Sequence, residues 1–268
     1  TIKKEQPQQK TIYVDLNCDL GEGFGIYQNN KEKELIPFVS SVNIPCGAHA
    51  GDPIKIMEAI KLAKANTLSI GAHIGYPDIA SFGYREMNLS FEELKAMIIY
   101  QIGALKAIAA SYNMQIDYVR PHGALYRQMT KDAALAISVA KSLEEIDTWL
   151  ILVGAAGDAL NNVQEETKIR VAPEIIINKY YDDDGSILFD EPVEDIEKVL
   201  MIATKLVKEG KMISKNGNIL DIDFKTIHLC SDSDRSIQIA KEIRGMFPER
   251  PVPIAITLVG DHALHQVD

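Results

Sequence analysis

The sequence predicts an α/β protein, a distorted (β/α) barrel of TIM type with seven or eight strands. Short apolar runs rich in β-branched residues alternate with stretches of helical period, and that alternation favours parallel strands each returned by a helix. Seven or eight such units in 268 residues suit a closed barrel better than an open sheet. Unusual polar residues stand at the C-terminal ends of the runs, the edge where a βα barrel carries its chemistry.

In chain order the strand runs are Ile12–Cys18, Ser41–Cys46, Leu68–His73, Ile116–Arg120, Trp149–Val153, Ile169–Ile177, Lys225–Cys230 and Pro253–Val259. Helical period fills the intervals at Lys31–Ser40, Pro53–Ala65, Phe91–Tyr112, Lys131–Glu144, Asp158–Glu166, Val193–Glu209 and Ser233–Phe247. Ser90 followed by Glu93 predicts a capping box, each side chain serving a backbone N–H of the first turn. Thr130 stands as N-cap before Lys131, and Pro53 sits where a helix tolerates a missing N–H. Asn216-Gly217, between Met212-Ile213 and Ile219-Leu220, predicts a small hairpin with a two-residue turn, both central positions at positive φ.

One domain is expected over residues 12–268, with no linker or repeat dividing it, and the polar stretch 1–11 reads as a disordered tail. The net charge of −10 has the wrong sign for binding nucleic acid through phosphates. The apolar stretch around Ala96–Ala110 is broken by Gln101 and Lys106, so no membrane span is expected. The three cysteines, Cys18, Cys46 and Cys230, read as buried small apolar residues in a cytoplasmic protein.

Candidate site residues cluster at strand ends. Asp15, Asn17 and Asp19 share one face of the first strand, because strand side chains alternate. The later ends supply His49, His73 and His122, each close to a glycine. One histidine after a strand is more often a packing residue than a catalyst, whereas three at equivalent places converge on one mouth. Glu22 and Asp52 are candidates for binding substrate, and they also fit the plainer role of acids favoured near helix N-termini. No phosphate loop, dinucleotide fingerprint or nucleophile elbow is present, and Asp182-Asp183-Asp184-Gly185 reads as a solvated turn.

Six segments, DLNCDLGEGFG (15–25), NIPCGAHAGDP (43–53), GAHIGYPD (71–78), FGYREM (82–87), YQIGAL (100–105) and PHGALY (121–126), resemble the LamB/YcsF family. The resemblance implies a barrel of the glycoside hydrolase/deacetylase type. It also implies opening of the 5-oxoproline lactam to glutamate, coupled to hydrolysis of ATP with Mg, alongside companion 5-oxoprolinase subunits B and C. On that reading Asp19 or His49 is the general base, His73 and His122 stabilise or protonate developing charge, and Asp15 and Asn17 orient them. Glu174 and Asp232 complete the mouth, with Lys179 and Arg85 as candidates for the substrate carboxylate or a phosphate. No tightly bound metal is expected; the alternative, a deacetylase-like metal enzyme, would use Asp19, His49 and His122. The second half departs from the family's pattern at Asn178-Lys179-Tyr180-Tyr181, at Asp190, and at His228-Leu229-Cys230-Ser231-Asp232. Those departures keep a divergent, non-catalytic subunit in play.

Overall fold

The chain alternates strand and helix along its first two-thirds in the computed structural model, which describes residues 14–26, 31–231, 234–247 and 251–255. The tail at 1–11 and Asp232 lie outside the described residues. β1 (Asp15–Asp19), α1 (Lys31–Leu35), β2 (Ser41–Pro45), α2 (Pro53–Ala65), β3 (Ser69–Ile74), α3 (Phe91–Ser111) and β4 (Tyr118–Pro121) come first. α4 (Gly123–Lys131), α5 (Ala133–Glu144), β5 (Ile151–Ala155), α6 (Asp158–Glu166) and β6 (Arg170–Ile176) follow. Two hairpin strands, β7 (Lys179–Tyr181) and β8 (Ile187–Pro192), precede α7 (Ile196–Glu209). A second pair, β9 (Lys211–Ile213) and β10 (Ile219–Asp221), precedes β11 (Thr226–His228) and α8 (Asp234–Gly245).

Seven parallel strands close into a barrel in the order β1-β11-β6-β5-β4-β3-β2. The strands are buried on both faces, which is why they read as continuous apolar runs. Leu16, Cys18, Ile44, Ile70, Val119 and Leu152 face the surrounding helices and join one large apolar cluster. The inward set is separate. Tyr118, Ile151, Val153, Ala172 and Ile254 make a small apolar plug, above which the interior turns polar. Gly71 exists for this packing, since a Cβ there would lie 2.1 Å from the Tyr118 ring.

Several boundary signals hold. Ser90 and Glu93 form the reciprocal capping box of α3. Pro53 opens α2 behind Asp52, whose side chain accepts from Lys55 N–H. α3 is the one described helix long and apolar enough to cross a membrane. Its apolar stripe, Leu94, Ile98, Ile102 and Leu105, is buried against the fold, and Gln101 beside it bonds the Gly75 backbone in both directions.

Other expectations are corrected. Thr130 is not a cap: it lies within α4, its hydroxyl donating to Tyr126 O, and Asp132 caps α5 through Ala134 and Leu135 N–H. The helix expected over Lys131–Glu144 therefore begins at Ala133, and an additional helix, α4, precedes it; the two are broken at Asp132, whose carboxylate serves the next helix's free N–H groups better than it serves a helix interior. The Asn216-Gly217 hairpin forms, but Ile213 pairs with Ile219, so five residues connect the strands. Only Gly217 there has positive φ. Ser214 closes this loop, its backbone and hydroxyl both bonded to Asn218. The β7–β8 hairpin adds two strands where none is expected from the sequence, and the acidic Asp182–Gly185 tract is its turn. The described part of Pro253–Val259 is not strand, and the remainder lies outside the described residues.

Candidate active site

Closure of the barrel stacks the inward residues into two polar layers. The deeper layer begins at Asp15, whose carboxylate accepts from Ser40 (2.7 Å), Ser41 (2.5 Å) and Thr226 (2.6 Å) hydroxyls. Burial pushes this carboxyl up to about 6, against the lowering effect of those three bonds. Asn17 Nδ2 donates to Thr226 Oγ1 and to Glu174 Oε1, while its Oδ1 accepts from Asn43 Nδ2 (2.8 Å). Tyr118 OH in turn donates to Asn43 Oδ1. Glu174 is fully buried and receives a bidentate Arg120 guanidinium (2.8–3.0 Å) and the Tyr126 hydroxyl (3.0 Å). Burial is the largest single influence on Glu174 and works against its charged form, but Arg120, His228 and the hydrogen bonds from Arg120 and Asn17 together outweigh it and hold the carboxyl below its ordinary range.

The outer layer is made by residues at the strand ends, Asp19, His73 and His228, and by Glu22, His49 and His122 just past them. Asp19 accepts from Asn43 Nδ2 (2.8 Å) and lies 3.7 Å from Arg120, 3.4 Å from His73 Nε2 and 3.6 Å from His228 Nε2. Burial alone would raise its carboxyl, yet these positive and polar neighbours hold it well below the usual carboxylate range. His73 and His122 meet edge to face with His73 Nε2 and His122 Nδ1 3.0 Å apart, and His49 stacks on His122 at 4.0 Å. Burial drives His49 and His73 well below the ordinary histidine range and His122 down to about 4, so these rings are held neutral. Glu22 reaches in from the loop after β1, 3.8 Å from His73 and 3.9 Å from His122. Burial and the nearby Asp19 and Glu32 push its carboxyl well up. Gly83, at φ 71°, carries the loop over the rings; a Cβ there would meet both His122 and His49 at 2.9 Å.

A cavity of about 480 Å³ opens on this layer. Asp19, Glu22, Arg120, His122, Tyr126, Lys179 and His228 are among its lining residues, and His49 and His73 are not. A larger cavity of about 810 Å³ shares Arg127 and Phe189 with it but contains no histidine. The smaller one is the candidate site because the converging titratable groups are there.

The structure brings together Asp15, Asn17, Asp19, Glu22, His49, His73, His122 and Glu174, with Lys179 on the cavity wall. It does not bring in Asp52, whose carboxylate serves α2 and Gly25 N–H. Arg85 is also outside, exposed and bound to Asp78 and Ser81. Cys18 and Cys46 are buried as expected; Cys230 is only half-buried and lines the cavity, its Sγ 3.1 Å from Asn178 Oδ1. Sequence reasoning passed over Arg120, Tyr126, Asn43 and His228. Arg120 sits two residues before His122 on one inward face, a spacing that flags it. His228 ends a short strand whose partner in register, Asn17, is 211 residues away.

The fold and site together define a βα-barrel protein of enzyme type, with a small polar cavity at the C-terminal mouth of the strands. The LamB/YcsF family model matches residues 14–258, and the chain belongs to that family. It is 36% identical over 245 residues to the A subunit of 5-oxoprolinase from Staphylococcus aureus (strain bovine RF122 / ET3-1), covering 90% of this chain and 98% of that one. To the corresponding 5-oxoprolinase chain of Clostridium beijerinckii it is 37% identical, covering 90% and 96%. Among solved structures it is similar to a lactam utilization protein from Thermus thermophilus, at 33% identity and a TM-score of 0.82, covering 88% of this chain and 96% of that one.

Proposed function

We propose that this chain acts in 5-oxoproline metabolism as the A component of a multi-subunit enzyme that opens the lactam to L-glutamate at the expense of ATP. The observation that carries the reading is the match to relatives of that name over 96–98% of their length, together with a family match over residues 14–258 that takes in every barrel strand. The chemistry of the mouth supports it.

A lactam carbonyl is a weak electrophile. Transfer of the γ-phosphoryl group of ATP to the amide oxygen gives ADP and an activated carbon; water adds there and the ring C–N bond breaks, freeing the amine and leaving an acyl phosphate, which a second water cleaves to glutamate and inorganic phosphate. His228 is placed to be the base for the first water. Its Nδ1 lies 2.8 Å from Asn17 Oδ1, an atom already committed as acceptor to Asn43, so Nδ1 carries the proton and Nε2 offers its lone pair. Asp19, ionised and 3.6 Å from Nε2, favours the imidazolium that forms. The base therefore moves from Asp19 or His49 to His228, since an acid held so strongly ionised is a poor base and His49 is off the cavity. Lys179, with no ion-pair partner among the described residues, is placed to take the substrate carboxylate.

With no phosphate loop in the chain, MgATP is proposed to be handled together with companion subunits B and C. The test is glutamate and ADP release from 5-oxoproline by the chain with and without those subunits. Equimolar products from the full set are expected; no glutamate from any combination of folded proteins removes the reading.

A further inference from the structure

We propose that Glu22, His49, His73 and His122 form a site for one divalent transition-metal ion, with zinc the ion their donor set suits best. One ligand atom from each lies within 4.8 Å of the others. Several of these atoms have no other use in the fold.

Two nitrogens are assigned by backbone carbonyls. His73 Nδ1 is 2.9 Å from Arg120 O, and His122 Nε2 is 2.7 Å from Phe82 O. A carbonyl only accepts, so both of those nitrogens carry hydrogen. In the neutral rings His73 Nε2 and His122 Nδ1 are then both lone pairs, facing each other at 3.0 Å. Two lone pairs at that distance repel unless something positive lies between or beside them. Donation of the far N–H to a backbone carbonyl is also how metal-bound histidines are oriented.

The remaining two groups point the same way. His49 is fully buried, and neither of its ring nitrogens has a hydrogen-bond partner. Glu22 Oε1 is likewise buried without a partner. Buried polar atoms are nearly always satisfied, so orphans from two residues converging on a lone-pair pair call for a common occupant. A proton shared by His73 and His122 would relieve their contact but leave His49 and Glu22 unserved. A cation serves all four. Glu22 Oε1 lies 3.8 and 3.9 Å from the two facing nitrogens, near the separation of about 3.4 Å between ligands that each sit about 2.0–2.1 Å from a tetrahedral zinc. Glu32 Oε1 is also an orphan but is not in the cluster.

Three imidazoles and one carboxylate select against magnesium, which takes oxygen ligands, and favour zinc or a neighbouring first-row ion. The site is thus distinct from any magnesium that arrives with ATP. It also differs from the Asp19, His49 and His122 set suggested by the sequence. Asp19 is engaged by Asn43 and Arg120, and Glu22 and His73 complete the cluster with His49 and His122. Glu22 and His122 line the cavity, so the ion would be held at its wall.

The experiment uses the full chain and does not depend on its activity. Protein stripped with chelator is titrated with cobalt(II) and followed by visible absorption, with elemental analysis of the untreated protein alongside. The expected result is one equivalent bound, an intense tetrahedral-type spectrum, displacement by zinc, and a higher melting midpoint with zinc. His49→Leu and Glu22→Gln should each weaken cobalt binding at least about a hundredfold, beyond the cost of losing an outer-shell partner. Arg85→Ala should leave it unchanged. Glu22→Gln is nearly isosteric and loop-borne, so it remains informative if His49→Leu does not fold. A folded wild-type chain that takes up neither cobalt nor zinc at hundredfold excess overturns the proposal, as does wild-type affinity in a folded Glu22→Gln variant.

Discussion

The two polar layers inside the barrel differ in their residues and in their completeness. In the deeper one, Asp15, Asn17, Asn43, Glu174 and Arg120 are tied to one another and to Ser40, Ser41, Thr226, Tyr118 and Tyr126. In the outer one, His49 and Glu22 keep buried atoms without partners. A satisfied buried network is rigid and specifies one arrangement, whereas an unsatisfied one costs stability unless something binds. The deeper layer is a scaffold for the outer, and the outer layer is where the molecule is prepared to hold a ligand.

Breaking the scaffold should have the largest effect. Arg120→Met leaves Glu174 charged and buried with only Asn17 and Tyr126 as donors, and a loss of about 3–5 kcal/mol in urea unfolding is expected. A variant that unfolds at the wild-type urea midpoint would show that the outer layer does not depend on the deeper one.

Asp15 gives a pH-dependent version of the same comparison. Its folded pKa of about 6 lies above the ordinary 3.8, so the native state holds that proton more tightly than the unfolded chain does. Stability from this group is fully present below about pH 4, falls as pH rises to about 6, and is absent above. Asp15→Asn should remove that slope. From pH 4 to 7.5 its stability relative to wild type should improve by on the order of 3 kcal/mol. A constant difference across that range would mean that Asp15 ionises without penalty.

The finest distinction concerns two cations. Lys179→Met should raise KM for 5-oxoproline about tenfold or more, the worth of one charged hydrogen bond, with little change in kcat. Arg85→Ala, remote from the cavity, should leave both within about twofold. Steady-state kinetics of the reconstituted enzyme checks the pair, and equal effects would cancel the contrast drawn between them.

Much of the fold was legible because its causes are local. The capping box at Ser90 and Glu93, the proline at 53 and the strand-end histidines at 49, 73 and 122 each express a rule spanning a few residues. The failures came where two local rules compete. Thr130 and Asp132 both carry cap side chains, but Thr130 spends its hydroxyl on Tyr126 O inside α4 while Asp132 takes the Ala134 and Leu135 N–H groups. Glu22 was legible as a site residue, but nothing near it in sequence shows that its carboxylate turns toward the histidines. His228 went unread because its meaning comes from Asn17, across the seam where the last barrel strand meets the first.

The amino-acid sequence by itself determined the alternation of strand and helix, the polar inner face Asp15-Asn17-Asp19, and the edge at which reactive groups collect, because periodicity and turn chemistry act over a few residues. Only the tertiary structure decided that seven strands close, that Arg120 is spent on Glu174 while Lys179 faces the cavity, and that Glu22 joins three histidines. Those outcomes depend on which side chains closure brings within a hydrogen bond of one another, and that is set by registers between strands far apart in the chain.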